Sequence, residues 1–338
     1  MTNKYIKDGK FDEKFIGNSP FEAATGMYVK EVLCDKTSNY QEILIFDSIN
    51  HGRVLVLDGI IQMTSSDEFA YHEMLSFTPL SCHPNPERVL VVGGGDGGLL
   101  KQILKFPSVK QITLCDIDKV VIEQCKLYFA NLTSSFNDDR CTLVIDDAFD
   151  YLKKSESDSF DVVICDCTDP DGDSGISERL FGEEFYTHVR RVLSKKGIVC
   201  SQTANSMWQF AEITKGLIEI CKPLYPVIGM SYVSVPAYSC GQNGFLICSK
   251  DADQDLREPY WKFTERKLDA LDLKYYDTDL HRMCFNLPRF IRKSLFSKNT
   301  NGRAHAIEVD INDDSCRIEN EKVQTKLQNI PDKNLVTV

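Results

Sequence analysis

The sequence predicts an α/β protein: a Rossmann-like, doubly wound sheet preceded by a small N-terminal β domain. Three observations carry this. From residue 88 onward, short continuous apolar runs alternate with helix-period segments, the pattern of parallel strands covered on both faces. A glycine run, Gly93-Gly94-Gly95-Asp96-Gly97-Gly98, lies between the first such run and the helix after it. The first roughly 65 residues, by contrast, are rich in branched and aromatic residues, with strand rather than helix character.

In residues 1–66, the segments 27–33 (MYVKEVL), 42–48 (EILIFDS) and 52–64 (GRVLVLDGIIQMT) are strand-like, and Asp58-Gly59 marks a tight turn. Residues 67–296 form the expected catalytic domain. It opens with FAYHEMLSFTPL (69–80), which has helical apolar spacing and ends before a His-Pro, Asn-Pro loop. Strand and helix then alternate: 88–92 and 99–106, 111–116 and 120–129, 141–146 and 148–154. The strand 161–166 leads through a loop to a helix expected over 183–197, followed by a strand at 198–203. A helix near 209–222 and strands at 227–235 and 245–248 complete an expected parallel sheet. Residues 297–338 are polar and lack periodicity, and are expected to form a flexible tail.

Composition narrows the function. The 338 residues carry 39 basic and 50 acidic side chains, a net charge of −11. An acidic surface repels phosphate backbones and anionic lipid, so neither nucleic acid nor membrane is an expected partner, whereas small cations are attracted. No stretch reaches the ~18 apolar residues of a membrane helix, and the N-terminus lacks the apolar core of a signal peptide, so cytoplasm is the expected location. The 13 cysteines form no CxxC pair, and several sit in apolar runs. They are expected to be core thiols in a reducing compartment, with no zinc site.

The chemistry gathers at strand ends. Gly93-x-Gly95-x-x-Gly98 fits the dinucleotide fingerprint, in which glycines permit a tight turn and close approach of a ligand. Asp116 ends the next strand, where an acid can accept both ribose hydroxyls. An adenosine-containing ligand fits, and NAD is still allowed. The third strand ends in Asp146-Asp147 and the fourth in Asp166-x-x-Asp169. Ligands of open α/β sheets bind outside the carboxyl ends of strands, so Asp96, Asp116, Asp147, Asp166 and Asp169 are expected to crowd one crevice. Their mutual repulsion is costly unless a cationic ligand fills it. Mg²⁺ is allowed on that ground, since hard cations favour carboxylates, but nothing resembles a phosphate cradle with a lysine.

These residues, with several linked motifs, resemble the spermidine synthase family, the polyamine aminopropyltransferases. The motifs are Ser38-Asn39-Tyr40-Gln41, Leu57-Asp58-Gly59-Ile60-Ile61-Gln62, Asp67-Glu68-Phe69-Ala70-Tyr71-His72-Glu73, the glycine run, and Asp166-Cys167-Thr168-Asp169-Pro170. Pro236-Ala237-Tyr238-x-x-Gly241 and Leu273-Lys274-Tyr275-Tyr276-Asp277 follow, so the resemblance spans residues 17–296.

The resemblance implies a methyltransferase-type Rossmann-like domain, a homodimer, and transfer of an aminopropyl group from decarboxylated S-adenosylmethionine to putrescine, giving spermidine and 5′-methylthioadenosine. The donor is a co-substrate, and no metal or resident cofactor is expected. By family position, Gly93 and Gly95 line the donor, Asp116 holds its ribose, and Asp147 with the Ala148 backbone meets the adenine. Gln41 and His72 flank the donor, and Asp96 pairs with its ammonium, a place where the carboxylate of intact S-adenosylmethionine would be repelled. Asp166 accepts the proton of the attacking amine, while Tyr71, Asp169, Gln202 and Tyr238 orient the diamine. After Pro170 the chain departs from the family pattern with an acidic loop, 171–176, expected over the acceptor. The related alternatives are spermine or thermospermine synthesis and putrescine N-methylation. An NAD-dependent oxidoreductase is disfavoured, because Asp96 and Asp147 would repel a pyrophosphate.

Overall fold

The computed structural model describes residues 3–13, 25–167, 179–203 and 211–296. Within these, the chain builds two sheets. The first runs in chain order through β1 (Ile6–Lys7), β2 (Lys10–Asp12), β3 (Gly26–Thr37), β4 (Glu42–Ser48), β5 (Arg53–Leu57) and β6 (Ile60–Thr64), every neighbour antiparallel. Asp58 and Gly59 both take positive φ, 50° and 83°, as a two-residue hairpin turn requires. Apolar runs such as EILIF are continuous because both faces of this sheet are covered. Ile43, Ile45, Leu55 and Leu57 pack on Val121, Cys125 and Phe129, while the alternate residues Leu44, Phe46, Val54 and Val56 pack with Phe11, Met27 and Ala237.

Helix α1 (Glu68–Cys82) follows, and all its residues but Phe69 are buried. Its polar side chains hold distant segments. Just before it, Asp67 accepts the Ala237 N–H at 2.8 Å through Oδ2 and the Thr64 hydroxyl through Oδ1. Glu73 accepts the backbone N–H groups of Lys274, Tyr275 and Tyr276. These bonds join three of the motifs noted in the sequence.

The second sheet comprises β7 (Arg88–Gly93), β8 (Gln111–Asp116), β9 (Cys141–Ile145), β10 (Phe160–Asp166), β11 (Leu193–Gln202), β12 (Val227–Ser234) and β13 (Gln242–Ser249). Its order is β12-β13-β11-β10-β7-β8-β9. Helices α2 (Gly98–Ile103), α3 (Lys119–Tyr128), α4 (Ala130–Thr133), α5 (Ala148–Lys154), α6 (Glu183–Val192) and α7 (Ala211–Cys221) accompany it. Three short helices close the described chain: α8 (Glu265–Ala270), α9 (Thr278–Met283) and α10 (Arg289–Leu295). Val89 and Val91 point into one core with α1 and α2, and Leu90 and Val92 into another with α5 and α6. The expected double cover is present.

Two expectations need correcting. The sheet is not wholly parallel: β13 runs antiparallel to both β11 and β12. The short segment Val235–Gly241 joins β12 to β13, and a parallel return needs a crossover of a dozen or more residues. The helix expected over 183–197 stops at Val192. Leu193 instead takes extended backbone (φ −72°, ψ 136°), pairs with Phe160 and begins β11. Leu193 continues the apolar period of Val189 and Val192, so periodicity alone does not separate the two states. The first two positions of the helix expected near 209–222, the loop 171–176 and the tail 297–338 lie outside the described residues.

Candidate active site

Connections leave β7 toward β8 on one side and β10 toward β11 on the other, so the carboxyl ends of β7 and β10 flank the switch point of the sheet, where open α/β folds bind ligands. A cavity of about 210 Å³ lies there. Asp166 ends β10 directly opposite Gly93, which ends β7. The Gly94 N–H donates to the Asp166 carbonyl at 3.2 Å, and a Cβ on Gly93, whose φ is +80°, would run into that same carbonyl.

The carboxylates converge as expected. Asp96, Asp116, Asp147 and Asp166 all line the cavity; Asp169 lies outside the described residues. Asp116 accepts the Gly95 N–H at 3.0 Å and the Asp118 N–H at 2.8 Å. Burial pushes its carboxyl up to about 6, with nearby Asp118 adding to the effect and the two backbone bonds opposing it. Asp147 caps α5, accepting the Phe149 N–H, and its other oxygen meets Arg179 at 3.1 Å. Ala148, the first residue of that helix, is also on the wall.

Asp166 is the most perturbed of the acids. Burial, reinforced by Asp96, pushes it up to about 7, against the opposing pull of the Tyr71 hydroxyl and His72. Tyr71, from α1, donates to Asp166 Oδ1 at 2.5 Å. Tyr238 packs edge-on against Tyr71, with centroids 5.8 Å apart, and donates its hydroxyl to the Gln62 carbonyl. Gln202, at the end of β11, donates to the Cys167 carbonyl. Tyr71, Gln202 and Tyr238 thus stand around Asp166 on the cavity wall, where the acceptor was expected.

On the opposite flank, Gln41 donates to Asp118 Oδ2 at 2.9 Å. His72 lies between two carboxylates, Glu68 at 2.7 Å and Asp96 at 3.4 Å. Burial alone would lower its pKa; Asp96 and then Glu68 outweigh that and bring it to about 10.

Four residues of this arrangement escaped the sequence reading. Asp118 caps α3 through the Val120 and Val121 N–H groups while also holding Ser38 and Gln41. An acid immediately before a helical apolar period is a readable cap signal. Asn243 lines the cavity from an otherwise apolar strand, its carbonyl accepting the Gly244 N–H. Gln62 also lines it, although the sequence pointed to it only as part of a motif. Arg179 had no sequence signal, and its role as partner of Asp147 depends on tertiary placement. Asp146, by contrast, is not among the residues lining the cavity; it pairs with Lys154 at 3.5 Å.

An acid with a pKa near neutrality, beside other carboxylates at the switch point of a Rossmann-like sheet, defines a transferase-type site for a cationic, nucleoside-linked substrate. The comparisons with known proteins make this more particular. Residues 68–258 match the family model described as the spermine/spermidine synthase domain, and residues 17–65 match the spermidine synthase tetramerisation domain. The chain therefore belongs to the spermine/spermidine synthase family. It is 41% identical over 292 residues to a spermidine synthase of Dictyostelium discoideum, an alignment covering 86% of this chain and 98% of that one. It is 39% identical over 280 residues to a spermine synthase of Arabidopsis thaliana, covering 81% and 76%. A crystal structure of a spermidine synthase in complex with the transition state analogue AdoDATO superposes with a TM-score of 0.77 at 32% identity, covering 86% of this chain and 96% of that one.

Proposed function

We propose that the protein is an aminopropyltransferase that makes spermidine from putrescine and decarboxylated S-adenosylmethionine, releasing 5′-methylthioadenosine. The observation that carries this is Asp166, a carboxyl at about 7 in a cavity lined by four further aspartates, Asp58, Asp96, Asp116 and Asp147.

The donor is a sulfonium bearing a protonated propylamine, and the acceptor is a dication, so both suit a cleft rich in carboxylates. The attacking nitrogen gives its lone pair to the carbon beside sulfur. The carbon–sulfur pair leaves with sulfur as a neutral thioether, so the leaving group needs little help. The amine is the obstacle: it arrives protonated, with a pKa near that of lysine, ~10.4, while an ordinary aspartate sits near ~3.9. With Asp166 at about 7, a gap of more than six pH units narrows to roughly three, and desolvation of the amine narrows it further. Asp166 takes the proton and passes it to solvent. Tyr71, Tyr238 and Gln202, with Asp169, orient the diamine, and alignment of nitrogen, carbon and sulfur supplies much of the rate.

On the donor side, Asp116 takes the ribose hydroxyls, Asp147 and the Ala148 backbone the adenine edge, and Asp96 the ammonium; Gly93, Gly95, Gln41 and His72 close round the nucleoside. A carboxylate at Asp96 disfavours intact S-adenosylmethionine, and with it N-methylation. Spermine synthesis is the second reading, favoured by similarity to the Arabidopsis thaliana enzyme. In this account the chain assembles as a homodimer in the cytoplasm, with no resident cofactor. Among the described residues no helix is long and apolar enough to cross a membrane.

Mass spectrometry of the purified protein with putrescine and decarboxylated S-adenosylmethionine tests the proposal. Spermidine and methylthioadenosine in equal amounts are expected. Methylated putrescine formed from intact S-adenosylmethionine would contradict it.

A further inference from the structure

The His72 ring is held on every side. On its own helix, Glu68 Oε2 lies 2.7 Å from Nδ1; from the glycine turn, Asp96 Oδ1 lies 3.4 Å from Nε2. Tyr71 meets the ring edge-on at 5.6 Å, and Gly98 lies so close that a Cβ there would overlap the imidazole. Asp166 faces it from the end of β10, and Lys101 on α2 acts on Glu68. A neutral imidazole has one N–H, so it can donate to one carboxylate; two carboxylates on its two nitrogens call for the imidazolium. Glu68 and His72, four residues apart on α1, are neighbours on one helix face.

This arrangement divides the work of Asp96. Its Oδ1 accepts the Gly98 N–H at 2.7 Å and faces His72. Its Oδ2 takes no hydrogen bond from the described residues, and Asp96 lines the cavity. We propose that Glu68 is a positioning residue of the donor subsite: it holds His72 as a buried cation against Asp96, giving the acidic cleft its own counter-charge and leaving one carboxylate oxygen aimed at the donor's ammonium. The proposal rests on the aminopropyl-donor reading of this subsite.

The physical need is direct. Asp96, Asp116 and Asp166 repel one another in a poorly solvated space, and like charges there favour proton uptake and so loss of charge. A fixed cation beside Asp96 offsets part of that repulsion and opposes the rise of Asp166. Glu68 and His72 cancel as a pair, so the Glu68–His72–Asp96 set carries one net negative charge, matching one ammonium. Without Glu68 the ring loses its Nδ1 anchor and can release a proton, Asp96 is no longer held by a cation, and affinity for the ammonium falls.

The test uses the full chain. Nuclear magnetic resonance of the His72 ring at pH 8 is expected to show an imidazolium in the wild type and a neutral ring in Glu68→Gln. In kinetics, Glu68→Gln is expected to raise KM for decarboxylated S-adenosylmethionine about ten-fold with a smaller change in kcat, and to move the acidic limb of kcat/KM to higher pH. In a His72→Gln background, where no ring can be charged, Glu68→Gln is expected to change KM by less than about two-fold. A neutral His72 in the wild type, or an unchanged KM and pH profile in Glu68→Gln, would overturn the proposal. Failure of the wild type to transfer aminopropyl groups would instead remove the donor reading, while the ionisation of the ring would still decide whether Glu68 holds a cation.

Discussion

Asp166 and Gly93 face each other as the terminal residues of the two strands between which the sheet's connections part. The Asp166 carbonyl is held by the Gly94 N–H, and the space beside it exists because residue 93 has no Cβ. The backbone at 93–94 is the support on which Asp166 presents its carboxyl to the cleft.

Gly93→Ala adds a methyl group that meets the Asp166 carbonyl, at a backbone with φ +80°. A loss of about 2–4 kcal/mol in folding stability is expected from the strain and the overlap together. Chemical denaturation checks it, and a variant as stable as the wild type would remove the claim that Gly93 sets this contact.

Tyr71 donates to Asp166 at 2.5 Å, a bond that favours the charged form of the acid and lowers its pKa. Tyr71→Phe removes that influence, so the Asp166 pKa rises. The acidic limb of the kcat/KM profile is expected to move to higher pH, with a loss of roughly ten-fold at pH 7. An unmoved limb would mean that Asp166 is not the group being titrated.

Glu73 is fully buried and binds three successive backbone N–H groups, those of Lys274, Tyr275 and Tyr276. Glu73→Ala leaves all three without an acceptor, at about 1–3 kcal/mol for the buried Tyr276 N–H, with smaller costs for the part-buried Lys274 and Tyr275 groups and a further cost for the cavity left in place of the side chain. A loss of at least about 3 kcal/mol in unfolding free energy is expected, measured in urea. A loss below about 1 kcal/mol would show that the segment is anchored elsewhere.

Stability should depend on pH in a definite direction. Asp116 and Asp166 are raised from 3.8 to about 6 and about 7, so the folded protein binds these protons more tightly than the unfolded chain. Their stabilisation is complete below pH 3.8 and is lost as pH rises through 6 and 7. His72, raised from 6.5 to about 10, adds a second decline between those values. The substrate-free protein should therefore be less stable at pH 8 than at pH 5, by an amount on the order of a few kcal/mol, and Asp116→Asn/Asp166→Asn should flatten the difference. Equal wild-type stability at both pH values would contradict the assigned carboxyl environments.

Much of this site was legible because its chemistry sits at strand ends. Once RVLVV, the glycine run and the following apolar strands are aligned in a doubly wound sheet, Asp96, Asp116, Asp147 and Asp166 must approach one edge, and the structure brings these four together. What the sequence could not supply was pairing across long separations. Nothing local says that Glu73 binds residues 274–276, that Arg179 meets Asp147, or that Asp118 holds Gln41. The end of the helix at Val192 was hidden for a different reason: Leu193 serves equally well as the next apolar position of a helix or the first of a strand, and pairing with Phe160 decides between them.

The role of Asp166 as proton acceptor is tested most directly by Asp166→Asn, which keeps the shape of the side chain and removes its basicity. In this variant kcat for spermidine formation is expected to fall by about a hundred-fold or more, with methylthioadenosine still bound at near wild-type affinity in calorimetry. A variant that turns over within a few-fold of the wild type would contradict it.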